Sequence, residues 1–257
     1  MTMQAKSNAG SAPIFHIDGA TATILLNRPE QHNRLDPDDL AVIINLLAAA
    51  CADANVRLVV LTGTGRTTFC SGYTLDAIVS RLDDSFERML DCIEGCPLPT
   101  LAALNGNAYG GAIDLALCCD FRIAVANTDA GPLQAMMPAA QFGLHYHPGG
   151  LRRFTEQLGL SAAKKMLLTA QTLFADELLA NNFLTELVVD HAALSNRIQA
   201  YAQALQACEL SAVKSMKIQL GKIVRDPASD AAKDRSFYTE SLVSPELRLR
   251  LNKRLQR

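Results

Sequence analysis

Between Ile14 and Asn27 apolar and polar residues alternate on either side of Gly19, which predicts two strands, 14–18 and 21–27, folded into a hairpin. Pro29 and Asn33 end that pattern. From Asp36 the period becomes helical, with Leu40, Ile43, Ile44, Leu47 and Cys51 on one face, so a helix is expected over 37–52 with Asp36 as its cap. Residues 57–62 (RLVVLT) read as a short buried strand closed by Gly63 and Gly65, after which the period turns helical again, with a helix over 83–93 ending before Pro97 and Pro99. Then come a strand at 100–104, a glycine turn at 105–111, a helix at 110–118 and a strand at 120–126. This alternation predicts an α/β core with a parallel sheet and right-handed crossovers. Beyond Gly149 the spacing is helical almost throughout, over 161–168, 176–182, 192–208 and 211–224. The chain therefore divides into a core, 1–190, and a helical C-terminal region, 191–257.

Composition narrows the function classes. With 24 Lys and Arg against 26 Asp and Glu in 257 residues, the formal charge is −2, which disfavours a nucleic-acid partner. Hydrophobic residues at 49% exclude a disordered chain. No apolar run approaches the ~20 residues of a membrane span, and 1–11 has neither the apolar core of a secretion signal nor the arginines of a transit peptide, so a cytoplasmic protein without a membrane partner is expected. The seven cysteines are odd in number and sit mostly in apolar segments, as reduced core thiols do. Cys92 and Cys96 lack zinc-ligand spacing, and no metal site is expected.

The chemistry concentrates around Ala103-Leu104-Asn105-Gly106-Asn107-Ala108-Tyr109-Gly110-Gly111-Ala112-Ile113-Asp114, which runs from a strand through glycines into a helix. A helix N-terminus offers unpaired N–H groups and a positive dipole end, and glycine lets a ligand oxygen come close. Neither the Walker pattern nor GxGxxG is present. An oxyanion hole and a plain packing turn remain. A second small-residue turn, Thr68-Phe69-Cys70-Ser71-Gly72-Tyr73, follows the preceding strand and ends on the same side of the sheet.

These two turns, with Asn27-Arg28-Pro29-Glu30, Cys119-Asp120-Phe121-Arg122-Ile123-Ala124, Gly143-Leu144, Gly149-Gly150 and Arg153, resemble the enoyl-CoA hydratase/isomerase (crotonase) superfamily over roughly residues 13–190. The resemblance implies a spiral of ββα units followed by a C-terminal helical trimerisation region, assembled as a homotrimer or as a hexamer of two trimers. It further implies an acyl-CoA substrate, with coenzyme A entering as part of the substrate and no separate cofactor. By matching positions, the backbone N–H groups of Tyr73 and Gly111 form the oxyanion hole, and an enolate is the shared intermediate.

Relative to that family the site is altered. The first hydratase glutamate corresponds to Asp114, one methylene shorter, which at i+3 from Gly111 shares its helix face and is the leading acid/base. The second corresponds to Ala139, with Gln134 or Gln141 as substitutes if the alignment slips, and no acid lies between Gly131 and Thr155. His145, Tyr146 and His147 fill the loop that borders the acyl group, so Tyr146 and His145 are secondary catalytic candidates, and the phenol of Tyr73, where the family has a small residue, is expected to project toward the acyl pocket. Arg34, Lys253 and Arg254, with Arg248 and Arg250 beside them, are candidates for the coenzyme A phosphates. Hydration or isomerisation is the nominal reaction. Decarboxylation of a malonyl-type thioester needs no general base and is the alternative, followed by hydrolysis of a carbon–carbon or thioester bond and by acyl-CoA binding or trimer scaffolding without turnover.

Overall fold

A computed structural model describes residues 11–225 together with Ser236, Glu240, Ser244, Pro245 and Leu247. The hairpin forms as β1 (Ile14–Asp18) and β2 (Thr21–Leu26), paired antiparallel. Next come α1 (Pro37–Ala52), β3 (Leu58–Gly63), β4 (Thr68–Cys70), α2 (Leu75–Arg81) and α3 (Asp84–Glu94). They lead to β5 (Thr100–Leu104), β6 (Asn107–Tyr109), α4 (Gly111–Leu117) and β7 (Phe121–Val125). Three short strands follow, β8 (Asn127–Thr128), β9 (Gly131–Pro132) and β10 (Gln134–Met136). The rest comprises α5 (Pro148–Thr169), β11 (Leu173–Phe174), α6 (Ala175–Ala180), β12 (Glu186–Val188), α7 (His191–Ala207) and α8 (Leu210–Arg225).

The main sheet has the order β1-β2-β3-β5-β7-β12, parallel from β2 onward. Its central strands are apolar on both faces because both are covered. Val59 and Leu61 of β3 face the large core beneath α1, α3 and α4, while Leu58 and Val60, with Leu101, Ile123 and Val125, pack against Leu194 and Ala202 of α7. Asp36 caps α1 in a reciprocal box with Asp39, whose carboxylate accepts the Asp36 N–H at 2.8 Å.

A smaller sheet, β11-β10-β6-β4, was not legible in the sequence. It absorbs parts of both glycine-rich segments: β4 and β6 pair in parallel, so the two turns that follow them leave the sheet side by side. The expectation of an almost wholly helical chain beyond Gly149 is corrected by β11 and β12. The latter extends the main sheet through parallel pairing with β7, Glu186 opposite Ile123. The helix anticipated at 161–168 is the second half of α5, which starts at Pro148 and bends at Gly159, where φ is +74°.

Candidate active site

The site is built where β4 and β6 end. Two buried asparagines hold the preceding loops: Asn105 accepts the Gly63 N–H at 2.9 Å and donates to the Gly65 carbonyl at 2.8 Å, while Asn33 donates to the Thr64 and Thr68 carbonyls at 2.9 and 2.8 Å. Gly72 has φ +85°, and a Cβ there would stand 2.8 Å from both the Gly111 nitrogen and the Tyr109 carbonyl oxygen. No other residue type fits this position without displacing the backbone. Leu35 bridges the turn, donating to the Gly72 carbonyl at 2.8 Å and accepting from Thr74 at 2.9 Å, and this pattern passes over the N–H of Tyr73. Gly111 opens α4, so its N–H has no helical acceptor. Among the described residues neither the Tyr73 nor the Gly111 N–H donates to a protein group.

Both residues border a cavity of about 140 Å³. Leu75, Ile78, Leu82, Phe86, Met137 and Leu144 give it apolar walls; Tyr73, Asp83, Glu87, His145, Tyr146 and His147 are its titratable residues, and Ala139 contributes only a methyl group. Phe86 sits against Gly111: a Cβ there would lie 2.7 Å from its Cζ, so this glycine makes room for a ring of α3.

Asp114 does not border the cavity. It is fully buried beneath it, and each oxygen has donors: Oδ1 accepts from Arg153 Nε at 2.7 Å, and Oδ2 from Arg153 Nη2 at 3.2 Å, Tyr146 Oη at 3.0 Å and His147 Nε2 at 3.0 Å. Gly150 permits this crowding, since a Cβ there would stand 2.2 Å from Tyr146 Cε1. Burial alone raises a carboxyl pKa, but the hydrogen bonds from His147 and Arg153 and the guanidinium charge outweigh it and hold Asp114 below its ordinary value. The sequence placed Asp114 at the substrate; the structure spends its lone pairs on Arg153, Tyr146 and His147.

Tyr146 borders the cavity with its ring while its hydroxyl donates inward to Asp114, and burial followed by the Asp114 charge pushes its phenol well above the usual range. His147 received less weight than His145 from the sequence and is the more constrained of the two. It caps α5, accepting the Gly150 N–H on Nδ1 at 3.2 Å, which assigns the ring proton to Nε2 facing Asp114. The signal was present in His147-Pro148, a capping side chain before a proline at the first helical position. His145 is exposed at the cavity mouth. The Tyr73 hydroxyl donates to the Arg81 carbonyl at 3.0 Å. Arg34 donates to Asp36 at 3.0 Å. Lys253 and Arg254, with Arg248 and Arg250, lie outside the described residues. Gln134 donates to the Tyr109 hydroxyl at 3.0 Å and Gln141 is exposed; neither borders the cavity.

Paired glycine turns and two N–H groups with no protein acceptor among the described residues thus lie beside one apolar cavity. The sequence profile described as Enoyl-CoA hydratase/isomerase matches residues 16–244, and the chain belongs to that family. It is 31% identical over 211 residues to the (E)-benzylidenesuccinyl-CoA hydratase of Thauera aromatica, covering 79% of each chain. With the short-chain-enoyl-CoA hydratase of Clostridium acetobutylicum it shares 30% identity over 214 residues, 79% of this chain and 78% of the other. The fold is that of an enoyl-CoA hydratase from Bacillus anthracis, with TM-score 0.85 and 24% identity over 96% of both chains.

Proposed function

We propose that this protein binds an acyl-CoA thioester with its carbonyl oxygen between the Tyr73 and Gly111 N–H groups and acts through the enolate that they stabilise. One observation carries the reading: Tyr73 and Gly111, whose N–H groups donate to no protein group among the described residues, border the same apolar cavity, and a Cβ on the intervening Gly72 would stand 2.8 Å from the Gly111 nitrogen. Loss of one such donor typically costs about 3 kcal/mol of transition-state stabilisation. Within this class the nominal reaction is hydration or isomerisation of an enoyl thioester. The relatives' names favour it, and so do the two carboxylates, Asp83 and Glu87, at the cavity wall, because an anionic malonyl-type substrate meets repulsion there.

Decarboxylation stays as a second reading on one specific observation: Ala139 supplies no carboxylate and Asp114 is withheld beneath the floor, so neither position of the hydratase pair offers a base. A trimeric assembly accords with the exposed apolar side chains of α8, Met216, Leu220 and Val224. The experiment is a mass-spectrometric assay of the purified protein with crotonyl-, 3-enoyl-, methylmalonyl- and 1,3-diketone CoA thioesters. Water gain or a double-bond shift supports the first reading, and loss of carbon dioxide supports the second. Hydrolysis of the diketone points to carbon–carbon cleavage. Binding of all four without turnover leaves an acyl-CoA binder, and no binding refutes the thioester site.

A further inference from the structure

If Asp114 is occupied and Ala139 is inert, a proton-transfer enzyme needs another base at the same cavity. The wall offers few. Asp83 is committed as the cap of α3: its carboxylate accepts the Ser85 N–H at 2.9 Å, and the Ser85 hydroxyl and N–H hold its carboxyl below the usual range. Tyr146 gives its proton inward, and the Nδ1 lone pair of His147 is taken by the Gly150 N–H.

Glu87 differs from all of these. It stands one turn into α3, beside the residue whose ring packs against Gly111, and its side chain is 45% exposed at the cavity wall. It makes no hydrogen bond among the described residues, and its ion-pair contact among them is with His147, Oε2 standing 3.3 Å from Nδ1. Apart from that contact its oxygens have no ion-pair or hydrogen-bond partner among the described residues. The neighbouring ring is locked on its other edge by Asp114, so it gives the carboxylate a fixed polar border.

We propose that Glu87 is the acid/base of this site, supplied by α3 in place of the two family positions that Asp114 and Ala139 leave without a working carboxylate. The inference rests on the acyl-thioester reading above. In the step, a Glu87 carboxylate oxygen forms an O–H bond as the Cα–H bond of the bound acyl group breaks. The C–H electrons become the C1–C2 double bond, and the carbonyl pair moves onto the oxygen between the Tyr73 and Gly111 N–H groups. The same proton then returns to Cα, or to the γ carbon of a 3-enoyl chain, which shifts the double bond into conjugation. Nothing is oxidised or reduced, and no co-reactant is consumed. One carboxyl group suffices for this exchange, whereas placing and splitting water calls for a second group.

The test follows deuterium entry at the α carbon of butyryl-CoA in heavy water, by mass, with binding measured separately by calorimetry. Wild-type protein is expected to add deuterium; Glu87→Gln is expected to slow this at least 100-fold with butyryl-CoA affinity within threefold, and formate is expected to restore exchange in Glu87→Ala. Exchange by Glu87→Gln at the wild-type rate overturns the proposal. So does loss of exchange in His145→Gln while Glu87→Gln remains active, or wild-type protein that binds butyryl-CoA and exchanges nothing. Absence of butyryl-CoA binding by the wild type overturns the thioester reading itself, a result distinct from any of these. Retained affinity and an unchanged circular dichroism spectrum separate a lost base from a lost fold.

Discussion

Replacing Asp114 by Asn removes one charge and changes little in volume, and its consequences separate a buried clamp from a reacting group. Arg153 and Asp114 are both almost wholly excluded from solvent and meet at 2.7 Å. Breaking a buried pair of this kind costs about 3–5 kcal/mol, because a charge is stranded without its partner. Here Arg153 retains Glu94 at 3.0 Å, so the lower end, about 3 kcal/mol, applies. The new amide also presents N–H groups to Tyr146 and His147, which are themselves donors. At roughly 2–4 °C per kcal/mol for a chain of this size, Asp114→Asn is expected to lower Tm by about 6–12 °C. Folded protein, assayed well below that transition, should keep turnover within about tenfold. Since the folded-state pKa of Asp114 is depressed, its contribution is complete above the unfolded value of about 4 and is lost as pH falls further toward the folded one. The Tm gap between wild type and variant should therefore be constant from about pH 5 to 7 and close in acid. An unchanged Tm with turnover reduced more than 100-fold would refute the clamp and return Asp114 to the substrate.

Two other outcomes follow from the same geometry. Gly72→Ala places a Cβ 2.8 Å from the Gly111 nitrogen in a backbone conformation at φ +85°, so calorimetry should show acyl-CoA affinity reduced at least tenfold; wild-type affinity would break the link between this turn and the hole. Among the thiols, Cys92 and Cys208 are exposed, whereas burial pushes Cys70, Cys96 and Cys119 up to about 12 and raises Cys118 well above the usual thiol range. At pH 8 a disulfide reagent should label the exposed pair quickly and the four buried thiols only on unfolding. Fast labelling of any buried thiol in the native protein contradicts the packing of α4 and β4.

What the sequence made legible follows from the range of the forces involved. The hairpin, α1, α3 and β5 were readable because their signals are local: alternation, helical period, a capping Asp36, and prolines after Cys96. The strands β4, β6 and β12 were not, because each has three residues and owes its conformation to distant partners, as Glu186 does to Ile123. Tertiary pairing overrides propensity in pieces this short. At the site, the glycine turns announced themselves through backbone requirements that only glycine meets. The fate of Asp114 did not, since its donors come from 32, 33 and 39 positions away along the chain.

The clamp on Asp114 and the freedom of Glu87 are two sides of one arrangement. The histidine between them holds Asp114 through Nε2 and closes the start of α5 through Nδ1, so neither nitrogen is left to carry a proton to substrate. The guanidinium of Arg153 neutralises the buried carboxylate through two hydrogen bonds. A base held in this way would have to break from three donor residues before it could act. The Glu87 carboxylate on the wall, which makes no hydrogen bond among the described residues and contacts only the His147 ring edge as an ion-pair partner there, has no such set of donors to leave. On the proposal that Glu87 is the base, the shorter side chain at position 114 fits a site whose proton transfer has moved from α4 to α3.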